Sequence, residues 1–379
     1  MSDTLLDQVE HAFEFAQQQV LALVKRNPDF YPLYTDKGKW RHEKPAWTRW
    51  CDGFLPGMMW IFYEETGKQS WRQLAERYSE ALEPRKDDRE VHDLGFIFYH
   101  GTYKRWYEAT LREHDPDESL NDVVVHAGQT LALRFNDPAG CLRSFHGSDS
   151  NFIDIMMNVG IIFYAAIETG DPTLLEIAHR HCMTTRRTLV RGDGSTAHEG
   201  IFNEETGEFL KQTTQQGYRG DSCWSRGLAW SLYGYGTSYQ LSRNPTYLEV
   251  AEMNADYWIT YVTPDGVASW DFDAPESGPL SQSQVDTSAS AIAAVGLLNL
   301  AQMASNVARR KAYMDCALNA IDTLTSVYLG DGDDGWEGIL RGGVYHIHKD
   351  LGVNESVMWG EYFFVELLQK VKALLSSRF

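Results

Sequence analysis

The chain has 379 residues, 43% of them apolar, enough to bury a substantial core in one large domain or two average ones. Its 34 basic and 53 acidic residues leave a formal charge of −19 spread along the sequence, which argues against nucleic acid and anionic membrane surfaces as partners. No apolar run is long enough to span a bilayer, and MSDTLLDQVEHAFEF lacks the basic and apolar regions of a secretory leader. Five scattered cysteines without a C-x-x-C pair fit reduced thiols in a cytoplasm.

In chain order, periodicity and breakers predict helices at about 4–24, 50–66, 69–82, 93–112, 116–135, 152–169, 172–190, 223–241, 245–262, 286–305, 307–328 and 357–377. A weak repeat pairs them. Glu65-Thr66-Gly67-Lys68 before Leu74-Ala75 resembles Glu168-Thr169-Gly170-Asp171 before Ile177-Ala178, and Ser242-Arg243-Asn244-Pro245 before Val250-Ala251 is a looser copy. Within a pair the members differ. Residues 152–169 (FIDIMMNVGIIFYAAIET) are apolar nearly all round, whereas 172–190 keep one polar face. Six buried helices alternating with six half-exposed ones imply an all-α fold, an (α/α)6 barrel of six helical hairpins, with residues 1–379 as one catalytic domain.

Connections from a buried helix to the next exposed one are short. Those leading into buried helices are mostly long, at 25–49, 136–151, 191–222, 263–285 and 329–356, and all fall on one rim. Long loops usually have a task. All six buried helices also begin with residues that are costly to bury: Trp50 and Asp52, Asp93, Asp154, Trp224 and Arg226, Asp286 and Ser288, Trp359 and Glu361. The active site is therefore expected at the long-loop rim.

Asp93 and Asp154 at one mouth suggest general acid/base work on a sugar, against the alternative that each merely caps a helix. Asp154 sits among Phe, Ile and Met, where desolvation raises a carboxyl pKa toward that of a general acid. Trp50, Trp224, Trp230, Trp270, Tyr345 and Trp359 offer faces for pyranose stacking, or else serve as core. Arg226, His198 and Gln216 suit a uronate carboxylate and ring hydroxyls, although a structural salt bridge accounts for Arg226 equally well. His179-x-His181 lies on an exposed helix, where positions i and i+2 point apart, and His346-x-His348 has no carboxylate partner at ligand spacing, so no metal or cofactor is expected.

These residues, from about Trp50 to Glu366, resemble the unsaturated glucuronyl hydrolases, glycoside hydrolase family 88. The carriers are Trp50-Cys51-Asp52-Gly53-Phe54, His92-Asp93-Leu94-Gly95-Phe96, Asp154 with Asn158, Arg191-Gly192-Asp193-Gly194-Ser195, His198, Gln216-Gly217, Trp224-Ser225-Arg226-Gly227 with Ala229-Trp230, Trp270-Asp271-Phe272, Asp286-Thr287-Ser288, Tyr345-His346 and Trp359-Gly360. The resemblance implies an exo-acting hydrolase that takes a 4,5-unsaturated uronic acid off the non-reducing end of a small lyase-generated oligosaccharide. It implies Asp154 as the acid/base, Asp93 as its partner, and Trp50, His198, Gln216, Trp224, Arg226, Trp230, Tyr345, His346 and Trp359 around the unsaturated ring. Gln215 and Glu361 depart from residues found in other members. Rival readings are an unsaturated rhamnogalacturonyl hydrolase, a non-catalytic oligosaccharide-binding barrel and a sugar epimerase. The sequence leaves the aglycone, its sulfation and the oligomeric state open.

Overall fold

A helix that is apolar on every side must have neighbours on every side, and the inner helices of this chain meet that demand by closing a ring. The computed structural model describes residues 2–41, 48–332 and 335–376. Its helices are α1 (Ser2–Arg26), α2 (Phe54–Thr66), α3 (Gln69–Glu80), α4 (Tyr103–Arg112), α5 (Glu118–Ala132), α6 (Ile155–Asn158), α7 (Gly160–Thr169), α8 (Pro172–Thr188), α9 (Ser225–Ser242), α10 (Pro245–Tyr261), α11 (Thr287–Met303), α12 (Val307–Val327) and α13 (Met358–Ser376), with a π-helical segment at Gly95–Gly101. The inner elements touch in sequence: α2, the π segment, α6 with α7, α9, α11, α13, and back to α2. Outside them, α3, α8, α10, α12 and α1 each pack on α2, α7, α9, α11 and α13, while α5 packs on both α4 and α7. This is the (α/α)6 barrel. No described helix is long and apolar enough to cross a membrane.

The repeated turns use one device. Gly67, Gly170 and Arg243 each end an inner helix in the left-handed region, at φ 65°, 70° and 57°. One residue earlier, the hydroxyls of Thr66, Thr169 and Ser242 donate to the carbonyl four residues back. Each hydroxyl also accepts an N–H from two residues ahead. Arg243 does this without the conformational ease of glycine, which is why the third copy reads as looser.

The expected continuous helix at 93–112 is broken. Thr102 (φ −110°, ψ −86°) separates the π segment from α4, with its N–H and its hydroxyl both donating to the Ile97 carbonyl. The cause is close packing: a Cβ on Gly95 would lie 2.6 Å from the Asn158 Cα, and one on Gly101 2.6 Å from the Gly53 carbonyl oxygen. Helix 152–169 likewise starts late. Ser150–Phe152 is a strand, antiparallel to Glu199–Phe202, which pairs in turn with Phe209–Thr213. The long rim loops also carry a hairpin of Gly343–His346 with Leu351–Glu355. Such strands are too short for a period-two signal to register.

Candidate active site

The rim sheet and the π segment aim side chains into a cavity of about 230 Å³ at the long-loop end of the barrel. Asp93, two residues before the π segment, and Asp154, immediately before α6, both line it, as do Trp50, Gln216, Arg226, Tyr345 and His346. Thr48, His92, Phe96, Phe145, His146, Phe152, Gln215 and Lys349 complete the wall.

Asp154 has helical backbone angles and makes no side-chain cap bond. Its Oδ2 is buried with no hydrogen-bond partner. Burial pushes its pKa up to about 6, against the lowering effect of the Arg226 charge and a hydrogen bond from Trp230. Asp93 rises further, to about 8, first through burial and then through the charge of Asp154. The two carboxyls thus share one electrostatic environment and resist being charged together.

Each carboxylate faces a neutral histidine. His198 Nδ1 accepts the backbone N–H groups of Gln215 (3.1 Å) and Gln216 (3.3 Å), so its proton sits on Nε2. That Nε2 is also buried without a partner and stands 3.5 Å from Asp154 Oδ2. Burial lowers the His198 pKa to about 3, so the ring stays neutral. His92 repeats the pattern: Nδ1 accepts the Phe145 N–H (3.0 Å), and Nε2 lies 3.3 Å from Asp93 Oδ1. His92 is absent from the candidates read off the sequence. Its position beside Asp93 was visible there, but the fixed tautomer depends on a loop some fifty residues away.

Asn158 ties together the segments that carry Asp93 and Asp154. Its amide oxygen accepts the Phe96 N–H (2.8 Å) and its amide nitrogen donates to the Asp154 carbonyl (3.2 Å). Gly95 must remain glycine for that approach.

The other candidates divide. Trp50 is half-buried at the cavity wall, and Gln216 turns its amide oxygen to Arg226 Nη2 (2.6 Å), which leaves its NH2 for a ligand. Trp224, Trp230, Trp359 and His198 are buried behind the wall, at 2% exposure or less. The faces of Trp224 and Trp359 are taken by the Arg226 guanidinium, 4.5 and 5.1 Å from their ring centres. Arg226 itself has both terminal NH2 groups engaged. It pairs with Asp286 (2.9 Å) and donates to Gln216 and to the Val344 and Tyr345 carbonyls. It braces three loops and sends charge, rather than a hydrogen-bonding fork, toward Asp154. Trp230 likewise acts through Asp154. His346, lowered to about 4 mainly by burial, is neutral, and the His348 Nε2–H donates to the Gly217 carbonyl oxygen at 2.8 Å. Trp270 is core.

A helical double ring whose mouth holds two raised carboxyls among aromatic side chains defines a carbohydrate-active hydrolase. Residues 26–346 match Glycosyl Hydrolase Family 88, and the chain belongs to that family. It is 31% identical to an unsaturated glucuronyl hydrolase of Bacillus sp. (strain GL1), over 92% of this chain and 93% of the relative. An unsaturated chondroitin disaccharide hydrolase of Streptococcus pneumoniae is 27% identical, over 85% and 81%. The solved structure of the Bacillus sp. GL1 enzyme superposes with a TM-score of 0.87 at 30% identity, covering 96% of each chain. A variant from Streptococcus agalactiae complexed with dGlcA-GalNAc6S gives 0.79 at 26% identity, over 96% and 91%. The chain is a glycosidase of the unsaturated glucuronyl hydrolase type.

Proposed function

We propose that the chain, as a single cytoplasmic catalytic domain, removes a 4,5-unsaturated glucuronate from the non-reducing end of short lyase-generated oligosaccharides. The observation that carries the reading is the buried, unbonded Oδ2 of Asp154 facing the unbonded Nε2–H of His198 beside a second raised carboxyl. Two orphaned polar atoms at a cavity wall are costly unless a ligand satisfies them.

In this reading protonated Asp154 gives its proton to C4 of the C4=C5–O5 vinyl ether, leaving an oxocarbenium ion at C5. Asp154, now a carboxylate, takes a proton from the water that adds to C5. The resulting C5 hemiketal opens to a ketone with its ring oxygen left on C1. That hemiacetal then collapses to an aldehyde and expels the aglycone alcohol. Asp93 holds sugar hydroxyls, and the Gln216 amide and the Trp50 face orient the ring. His198 donates to the sugar or to Asp154 without becoming charged. The relatives act on, or are complexed with, unsaturated glucuronyl and chondroitin-type sugars by name, which supports the substrate class.

Turnover in heavy water checks the mechanism: proton NMR of the fresh product should show deuterium at C4, and oxygen-18 water should label the C5 carbonyl. Saturated glucuronides should be inert. Good turnover of a saturated glucuronide with no label at C4 would show ordinary attack at C1 and overturn the assignment.

A further inference from the structure

A second groove, of about 610 Å³, opens beside the catalytic cavity and shares Phe145 with it. Its walls include Arg89, Arg134 and Arg143, with Ser144 and Ser148, and one acidic residue, the exposed Glu90. In a chain of net charge −19, three guanidinium groups on one groove go against the average. None of the three has a carboxylate within ion-pair distance among the described residues, whereas nearby Arg85 pairs with Asp52 and Asp88.

Two of the three arginines are braced, and Arg89 stands exposed at the edge of the groove. Arg134 donates to the carbonyls of Arg143 (3.0 Å), Ser144 (2.6 Å) and Arg89, and Arg143 Nε donates back to the Arg134 carbonyl (3.1 Å). Carbonyls satisfy these N–H groups without neutralising the charge. Two guanidiniums are therefore held together against their own repulsion, and burial followed by the Arg143 charge lowers the Arg134 pKa. Such an arrangement is stabilised by an incoming anion. Phe145 is shared with the catalytic cavity, and the field of Arg134 reaches Asp93 in it, so the groove lies next to that cavity.

We propose that this groove binds a second anionic group of the substrate, a uronate carboxylate or a sulfate ester beyond the first aglycone sugar. The inference rests on the unsaturated glucuronyl hydrolase reading. It makes the enzyme a reader of alternating acidic polymers: the pocket takes the terminal uronate and the arginines take the next anion along the chain. The overall negative field still opposes a long polyanion, so the gain is confined to the few sugars that reach the groove.

The test compares kcat/KM for an unsaturated disaccharide and the tetrasaccharide of the same polymer, each unsulfated and sulfated, in wild type, Arg89→Ala and Arg143→Ala. The tetrasaccharide-to-disaccharide ratio should fall about fivefold in each variant, through KM, and added salt should shrink the wild-type ratio. Reading a ratio cancels any general damage to the pocket. A fall with the unsulfated pair identifies the carboxylate as the bound anion, and a fall confined to sulfated pairs identifies the ester. A ratio unchanged in both variants overturns the proposal. If wild type turned over none of these sugars, the functional reading would fail separately. The groove would then be read by calorimetry with a saturated acidic tetrasaccharide, where equal affinities for wild type and Arg89→Ala would remove it.

Discussion

Asp286 and Asp154 stand at the same end of the barrel, each directly before an inner helix, α11 and α6, with α9 between them. Asp286 is fully employed. Its Oδ1 accepts the N–H groups of Ser288, Ala289 and Val344 and the Ser288 hydroxyl, and its Oδ2 accepts Arg226. Asp154 keeps an oxygen with no partner and, with Asp93, is pushed toward the protonated form. Asp286 is fully buried and Asp154 largely so, so burial alone does not separate a structural carboxyl from the candidate acid. The mark is the hydrogen bond that the protein withholds. The satisfied sector holds loops in place, and the unsatisfied sector waits for substrate.

Substitution should separate the two sectors by what is lost. Asp154→Asn keeps the shape and removes the proton, so turnover should fall by about 10³-fold or more with an unchanged melting temperature. Residual activity within about tenfold of wild type would show that another group supplies the proton. Asp286→Ala should do the reverse. It strands the Arg226 charge and two helix N–H groups in a dry interior, a loss of about 3–5 kcal/mol of stability. Calorimetric unfolding checks it, and a stable variant would mean the bridge is dispensable. Any activity lost by Asp286→Ala should follow the loosening of Gln216 and the 344–345 strand, whose contacts with Arg226 depend on that bridge.

What was legible in the sequence follows the same division. The turns at Gly67, Gly170 and Arg243 depend on local spacing, and the rim was marked by polar residues at the starts of apolar helices, so both were readable in one dimension. The placement of Asp93 and Asp154 at the rim cavity was readable for that reason. The roles of Arg226, Trp224 and Trp359 were not. The stacking of Arg226 on Trp359 and its hydrogen bonds to the 344–345 strand join residues more than a hundred positions apart, although Trp224 lies only two residues away. The His92 and His198 tautomers are set by distant backbone N–H groups for the same reason. The break at Thr102 escaped because the close approaches at Gly95 and Gly101 are to the backbone of Asn158 and Gly53, distant in sequence.

The smallest effect expected is also the one that asks most directly which carboxyl carries the reacting proton. If Asp154 is the acid, its protonated form is the active one. That form is complete well below its pKa of about 6 and is lost as pH rises through that value. Asp93, at about 8, stays protonated across the same window and adds no second limb until higher pH. The logarithm of kcat/KM should therefore be level in mild acid and bend downward near pH 6, losing about tenfold per further unit. The neutral histidines cannot supply that bend, since burial leaves His198 near 3 and His92 well below its ordinary value. A bend displaced to about 8 instead would move the proton donor to Asp93. Because the pair titrates as a unit, Asp93→Asn should then shift the limb rather than remove it if Asp154 is the donor, and remove it if it is not.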